Sequence, residues 1–318
     1  MNPDLEKSVF GPVPSRRLGR SLGINNIPAK VCSYSCLYCQ VGKTDTMTIQ
    51  RKEFYLPQDI FDRVKSKLKQ SSVKNERVDY ISFVPDGEPT LDVNLGKTLD
   101  LLKSLDVPIA VITNSSLMSH QDVQNELMLA DWISVKIDST ENSIWHVINR
   151  PHGKLMLQEI FDGLLYFRNH YQGLLVTETM LVKHINDSFK EIERTVSFLQ
   201  KLQPDIAYLA LPIRPPAEKI IEPAGTDSLN IAYQSLKRVI RHTELLTDYD
   251  SGPFSSLGNV HDDLLSITSV HPMRMDAVLN FLNTHGQDEC LLDEMLAKGE
   301  LVISTYQGHD YLLRNFKN

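Results

Sequence analysis

The sequence predicts an α/β protein: a parallel sheet covered by helices, followed by a small C-terminal α+β module of winged-helix-like plan. Three observations carry this. About six short, nearly all-apolar strands alternate with helical stretches, the pattern of a parallel sheet buried on both faces. The polar motifs fall at the C-terminal ends of those strands, where α/β sheets and barrels gather their chemistry. The last sixty residues abandon the alternation and run as helices followed by a hairpin. Six βα units form either an open doubly wound sheet or an incomplete barrel.

Residues 10–31 are rich in proline and glycine, which argues against a helix; SLGINN supplies a short first strand leading to a group of cysteines. Helical periodicity starts after Pro57, with Ile60, Phe61, Val64 and Leu68 on one face. YISFV at 80–84 is a strand ended by the turn PDGEPT. Leu95, Leu99 and Leu102 mark a helix, 107–113 a strand, 119–130 a helix and 131–138 a strand. A loop with Arg150-Pro151 leads to a helix near 154–170, a strand at 174–182, a helix at 188–202 and a last strand at 206–212. A proline-rich passage, 211–225, closes this unit, and one more helix, about 227–243, packs against it. Residues 1–245 thus read as one domain and 246–259 as a turn-rich linker. Residues 260–318 read as a module with helices from about 260, after Pro272 and at 288–298, then a hairpin turning at TYQGH.

No run of eighteen apolar residues exists, so no membrane span is expected. The N-terminus lacks the apolar stretch of a secretory signal. Four cysteines in 318 residues, three of them clustered, make no disulfide framework, and a reducing cytoplasm is the natural setting. The net charge of −7 is unevenly spread: residues 1–77 carry 14 Lys and Arg against 7 Asp and Glu. That portion contains the cysteine loop; its surplus reads first as a solvated helix face on KSKLK with a few surface arginines, and alternatively as a field that draws an anionic substrate or cofactor toward the site.

Cys32, Cys36 and Cys39 stand in the spacing C-x3-C-x2-C, with Tyr38 just before the last. Three thiolates in eight residues can grip three corners of a cubane iron–sulfur cluster, which otherwise takes four cysteines, leaving one iron open to a small molecule. Structural zinc wants four ligands, usually as two spaced pairs. Here the triplet stands alone, the nearest histidine in sequence is His120, and Cys290 lies far away in a helix of the tail, where it reads as a small buried side chain.

This triplet resembles the signature of the radical S-adenosylmethionine (SAM) superfamily. The resemblance spans roughly residues 10–215 and implies a partial (β/α)6 TIM-type barrel, a [4Fe–4S] cluster on the three cysteines and SAM on its open iron. It also implies reductive cleavage of SAM to a 5′-deoxyadenosyl radical, and an external one-electron donor of flavodoxin or ferredoxin type. By the same resemblance Gly87-Glu88-Pro89, preceded by Asp86 where the family has glycine, holds the SAM amino group. Thr113-Asn114 meets the ribose or the methionine carboxylate, Lys136 pairs with the SAM carboxylate, Asp138 binds ribose hydroxyls, and Tyr38 meets the adenine. A carboxylate near an ammonium has its own physical reason, although Pro-Asp-Gly is also an ordinary turn. The segments GPVPSRRLGRSLGIN, CSYSCLYCQVGKT, DGEPTL and VITNSSL resemble a subgroup related to the wybutosine (tricyclic base) synthetases acting on tRNA. Those enzymes carry a second cluster on upstream cysteines; no cysteine precedes Cys32, which excludes one of that kind.

Arg16, Arg17 and Arg20 in the leading segment, Glu178 and Lys183 in or after the fifth strand, and Arg214 after the last are substrate-side candidates. His146 and His184 read as satisfied polar residues. The substrate is an RNA base, a protein or peptide side chain, or a metabolite. Residues 258–318 hold 4 Lys and Arg against 9 Asp and Glu, a poor surface for DNA phosphates. The competing reading is a non-catalytic zinc or iron–sulfur sensor with a winged-helix output module.

Overall fold

The computed structural model describes residues 8–247, 254–256 and 259–316. Most of the expected linker, 248–253 and 257–258, lies outside the described residues. The strands β1 (Val9–Ser15) and β2 (Gly19–Ile24) form an antiparallel hairpin, and β2 leads through the short β3 (Val31–Cys32) and β4 (Thr46–Met47). Then follow α1 (Pro57–Val73), β5 (Tyr80–Phe83), α2 (Leu95–Leu102), β6 (Ile109–Thr113), α3 (Gln121–Leu127) and β7 (Trp132–Lys136). After these come α4 (Asn142–Ile148), α5 (Leu157–His170), β8 (Leu174–Met180), α6 (Phe189–Leu202), β9 (Ile206–Ala210), α7 (Thr226–Lys237) and β10 (Thr243–Leu246).

The main sheet has the order β1-β2-β5-β6-β7-β8-β9-β10, parallel from β2 onward. It is the curled half-barrel rather than an open doubly wound sheet, because the strand order never reverses. Side chains alternate across it. Ile109, Val111, Ile133, Val135, Leu175, Ala207 and Leu209 pack outward under the helices. Ala110, Trp132, Val176, Tyr208 and Ala210 line the concave face, where Leu18 from the β1–β2 turn is buried with them.

Three expectations are corrected. The leading segment holds two strands, not one. The expected helix at 227–243 stops at Lys237, and the chain adds a further parallel strand, β10, at the sheet edge. A short helix, α4, occupies part of the loop expected before Arg150-Pro151.

The C-terminal residues form α8 (Val260–Val270), β11 (Met273–Arg274), α9 (Met275–Thr284), α10 (Glu289–Ala297), β12 (Leu301–Tyr306) and β13 (His309–Arg314). The strands make a sheet of order β11-β13-β12. The hairpin turn sits on Gln307 and Gly308, both at positive φ, as a tight two-residue turn requires. This module packs on the barrel: Phe10 and Val13 of β1 share a core with Leu264, Ile267, Phe281 and Leu312. Cys290 is exposed, not buried as expected. It opens α10, beside the capping Asp288, on the helix face away from buried Leu292 and Met295. Among the described residues no helix is long and apolar enough to cross a membrane.

Candidate active site

The cysteine loop is stitched across the C-terminal ends of the strands by backbone hydrogen bonds. Ser35 and Leu37 donate to the carbonyls of Asn149 and Ile148 at 3.0 and 2.9 Å, and Glu88 donates to Val31 at 3.2 Å. Gly87 is fixed by that approach, since a Cβ there would lie 2.0 Å from the Val31 carbonyl oxygen. Gly87→Ala is therefore expected to cost about 2–3 kcal/mol by forced overpacking and to lower iron content per chain. A wild-type melting midpoint and iron content in this variant would refute the close approach.

Cys32, Cys36 and Cys39 all line one cavity of about 280 Å³ at the mouth. Burial pushes all three thiols up, Cys36 to about 12. A positively charged metal group is what would offset that burial, since coordination deprotonates a thiol outright. Among the described residues no three His, Cys, Asp or Glu side chains converge as a site for a single metal ion. What the three cysteines do share is one cavity, and three thiolates on one loop suit three corners of a cubane cluster. Amide donors already reach two sulfurs: Asn114 Nδ2 lies 3.5 Å from Cys32 Sγ, and Asn149 Nδ2 lies 3.5 Å from Cys36 Sγ.

The β5 and β6 loops are joined by Glu88. Its Oε1 accepts from Thr90 N at 3.1 Å and from the hydroxyls of Thr90 and Thr113 at 2.6 Å each. Its Oε2 accepts from Asn114 N at 2.7 Å. Three donors thus converge on Oε1 and one on Oε2, and Glu88 is 1% exposed. Pro89 is buried in the following turn and does not line the cavity, whereas Gly87, Glu88, Thr113 and Asn114 do.

Asp86 also lines the cavity, with one oxygen accepting from Asn25 at 3.0 Å and the other buried without a hydrogen-bond partner. Burial pushes its carboxyl up to about 6, against the pull of Arg314 and Asn25. An unfolded aspartate loses its proton near pH 4, so Asp86 favours folding below that pH and loses this contribution as pH climbs to about 6. A carboxyl held near 6 in place of about 4 corresponds to about 3 kcal/mol. Asp86→Asn should gain stability relative to wild type as pH rises from about 4 to about 7. A difference in melting midpoint that stays flat over that range would count against this.

On the concave face the register sets Lys136 of β7 opposite Glu178 of β8. Lys136 Nζ lies 2.5 Å from Glu178 Oε1, and Arg17 pairs with Oε2. Burial raises Glu178, but Lys136 and Arg17 outweigh it and hold the carboxyl well below the usual carboxylate range. Lys136 also sits 4.9 Å over the Tyr38 ring. Asp138 does not line this cavity. Its Oδ2 accepts from Tyr38 and from Asn149 at 2.7 Å, and its Oδ1 accepts from Met180 N at 2.8 Å, so the side chain is wholly enclosed. In place of the expected contact with ribose hydroxyls, the carboxylate anchors Tyr38.

Arg16, Arg17, Glu178 and Arg214 line the cavity; Arg20 and Lys183 do not. Arg20 pairs with Glu76 at 2.9 Å and Lys183 with Glu222 at 2.6 Å. Sequence reasoning missed Asn149, Gln40 and His271. Gln40 Nε2 donates to the Val270 carbonyl at 2.6 Å and its Oε1 accepts from Arg214 at 3.0 Å, tying the cysteine loop to the C-terminal module. Nothing in the local sequence marks these three, because each acts through a contact distant along the chain.

A parallel half-barrel with a C-x3-C-x2-C loop over its C-terminal mouth defines a class of iron–sulfur enzyme. The sequence model of the Radical SAM superfamily matches residues 26–199, and the chain belongs to that superfamily, whose members work with a [4Fe–4S] cluster and SAM. More particularly, the chain is 44% identical to UPF0026 protein MJ1312 of Methanocaldococcus jannaschii, over 97% of this chain and 96% of that protein. Among solved structures, TYW1 with a lysine-pyruvate adduct bound matches 75% of this chain and 82% of its own, with a TM-score of 0.54 at 12% identity. SuiB of Streptococcus suis bound to S-adenosylmethionine matches 72% of this chain and 51% of its own, with a TM-score of 0.51 at 14% identity. At those identities the likeness is one of fold.

Proposed function

We propose that Cys32, Cys36 and Cys39 hold a [4Fe–4S] cluster whose open iron takes SAM, and that the chain abstracts hydrogen from a substrate bound deeper in the half-barrel. The observation that carries this is that the three thiols share one cavity with Gly87, Thr113, Asn114 and Lys136. The cluster, when bound, supplies the electron that splits the SAM sulfonium into methionine and a 5′-deoxyadenosyl radical. The chain's own residues do the rest. Lys136, kept charged by Glu178 and Asp138 despite burial, pairs with the SAM carboxylate. Glu88 holds the β5 and β6 loops together, and its Oε2, which has one protein donor, takes the SAM ammonium together with the other acceptors of the β5 loop. Asn114 and Asn149 donate toward the sulfurs and tune the cluster potential. The electron comes from an external flavodoxin- or ferredoxin-like protein.

Anaerobic purification should give a brown protein with about four irons per chain, as a cubane requires. Reduction with SAM present should release 5′-deoxyadenosine. Reconstitution that yields zinc, with no SAM cleavage, would sink the proposal. Deuterium transfer from candidate RNA, peptide or metabolite substrates into 5′-deoxyadenosine identifies the substrate.

A further inference from the structure

Asp138 follows β7, against the cysteine loop, and does not line the cavity. Its side chain is wholly enclosed. The groups set against it are donors: the Met180 N–H at 2.8 Å and Lys136 Nζ at 4.0 Å on Oδ1, the Tyr38 hydroxyl and Asn149 Nδ2 at 2.7 Å on Oδ2. Lys136 offsets it only in part, because the same Nζ lies 2.5 Å from Glu178 Oε1.

Both side chains on Oδ2 also reach Cys36. Asn149 Nδ2 lies 3.5 Å from Cys36 Sγ and 3.2 Å from the Tyr38 oxygen, and the Tyr38 hydroxyl is itself within reach of that sulfur. A tyrosine hydroxyl has one hydrogen to give, and here Asp138 takes it. Asp138 also holds the closer contact to the Asn149 amide, 2.7 Å against 3.5 Å for the sulfur. The carboxylate thus draws two donors away from Cys36 and adds a negative charge close to it. Burial, then Cys39, push the Cys36 thiol up to about 12, and Asp138 adds to that push. Glu88 acts in the same way on Cys32, and Asp86 on Cys39. Those two carboxylates face the cavity, where a bound cation can neutralise them; Asp138 does not.

The potential of an iron–sulfur cluster follows its net charge, the hydrogen bonds to its sulfurs and its exposure to water. Fewer donors on a sulfur and a fixed negative charge nearby both disfavour the extra electron of the reduced state, and away from water a charge acts more strongly. We propose that Asp138 is a positioning residue that sets the cluster potential: by taking the Tyr38 and Asn149 hydrogens, and by its own charge, it keeps donors off Cys36 Sγ and makes the reduced cluster a stronger reductant. This rests on the reading that Cys32, Cys36 and Cys39 hold a [4Fe–4S] cluster.

The test is an anaerobic redox titration of the reconstituted full-length chain without SAM, followed by electron paramagnetic resonance. Asp138→Asn keeps the shape, and its amide can donate to the Tyr38 oxygen, which frees the hydroxyl hydrogen for Cys36. Loss of charge and gain of a donor both favour reduction. The ratio of reduced to oxidised cluster at a fixed potential should rise about tenfold, which is about 59 mV for a one-electron couple. Tyr38→Phe removes the hydroxyl and leaves the charge of Asp138 less offset, so its potential should fall or stay. Mere loosening of the loop would admit water, which stabilises the more negative reduced cluster, and so would raise both variants. A rise in both, or no rise in Asp138→Asn, overturns the proposal. If Asp138→Asn takes up no cluster, Tyr38→Phe decides alone: a fall supports the proposal and any other result overturns it. Wild type that binds iron and cleaves SAM while these shifts fail removes only this proposal; wild type that binds no iron removes the cluster reading and this proposal with it.

Discussion

Cys36→Ser is expected to leave a folded chain that holds almost no iron and forms no detectable 5′-deoxyadenosine. Changes to groups that merely support a metal ligand already cost about 10–100-fold, and loss of a ligand should exceed that. No substitute thiol is at hand, since Cys290 is exposed on α10 and does not line the cavity. In the cluster-free chain the cost should be small, about 1 kcal/mol, because burial keeps the Cys36 thiol neutral and serine replaces one small polar group with another. Iron analysis, the melting midpoint and product formation together check this. Cys290→Ser is the control and should match wild type in all three; full iron loading by Cys36→Ser would remove that cysteine from the ligand set.

Glu88→Ala should be the most destabilising single change on the mouth, about 3–5 kcal/mol. It strands four buried donors, on Thr90, Thr113 and Asn114, and opens a void between two loops. Burial raises the Glu88 pKa, yet all four neighbours are donors, and such a ring suits the ionised carboxylate. Glu88→Gln should therefore rescue only in part: its oxygen can face the two threonines, but its amide then meets the Asn114 N–H, donor against donor. Denaturant unfolding of both variants tests this, and full rescue by glutamine would mean that the native side chain is protonated.

Much of the half-barrel is legible because parallel strands buried on both faces leave short apolar runs, as at Ile109–Thr113 and Ile206–Ala210. The elements that were missed lack that signature. In β1, VFGPVPS, proline and glycine disguise an edge strand that needs few ladder hydrogen bonds. In β10, TELL, two of four residues are exposed, so no apolar run exists. The site divides in the same way. Lys136 and Glu178 are each legible as polar residues at strand ends, but their register opposite one another and the enclosure of Asp138 by Tyr38, Asn149 and Met180 are not.

By itself the sequence determined the cysteine triplet, the alternation of strand and helix, and which polar residues close each strand, because spacing and periodicity are local properties of the chain. Only the tertiary structure decided which of those polar groups face the cavity. Glu88 and Asp138 are carboxylates at strand ends in the same sense, yet Asp138 is enclosed by donors 11 to 100 residues away while Glu88, held by Thr113 and Asn114, still lines the cavity. Arg17 and Arg214 stand near opposite ends of the sheet order and line one cavity because the β1–β2 turn packs on the concave face through Leu18 and the chain after β9 passes the mouth. A hydrogen-bond partner or an ion pair is a fact about distance in space, and a sequence records only distance along the chain.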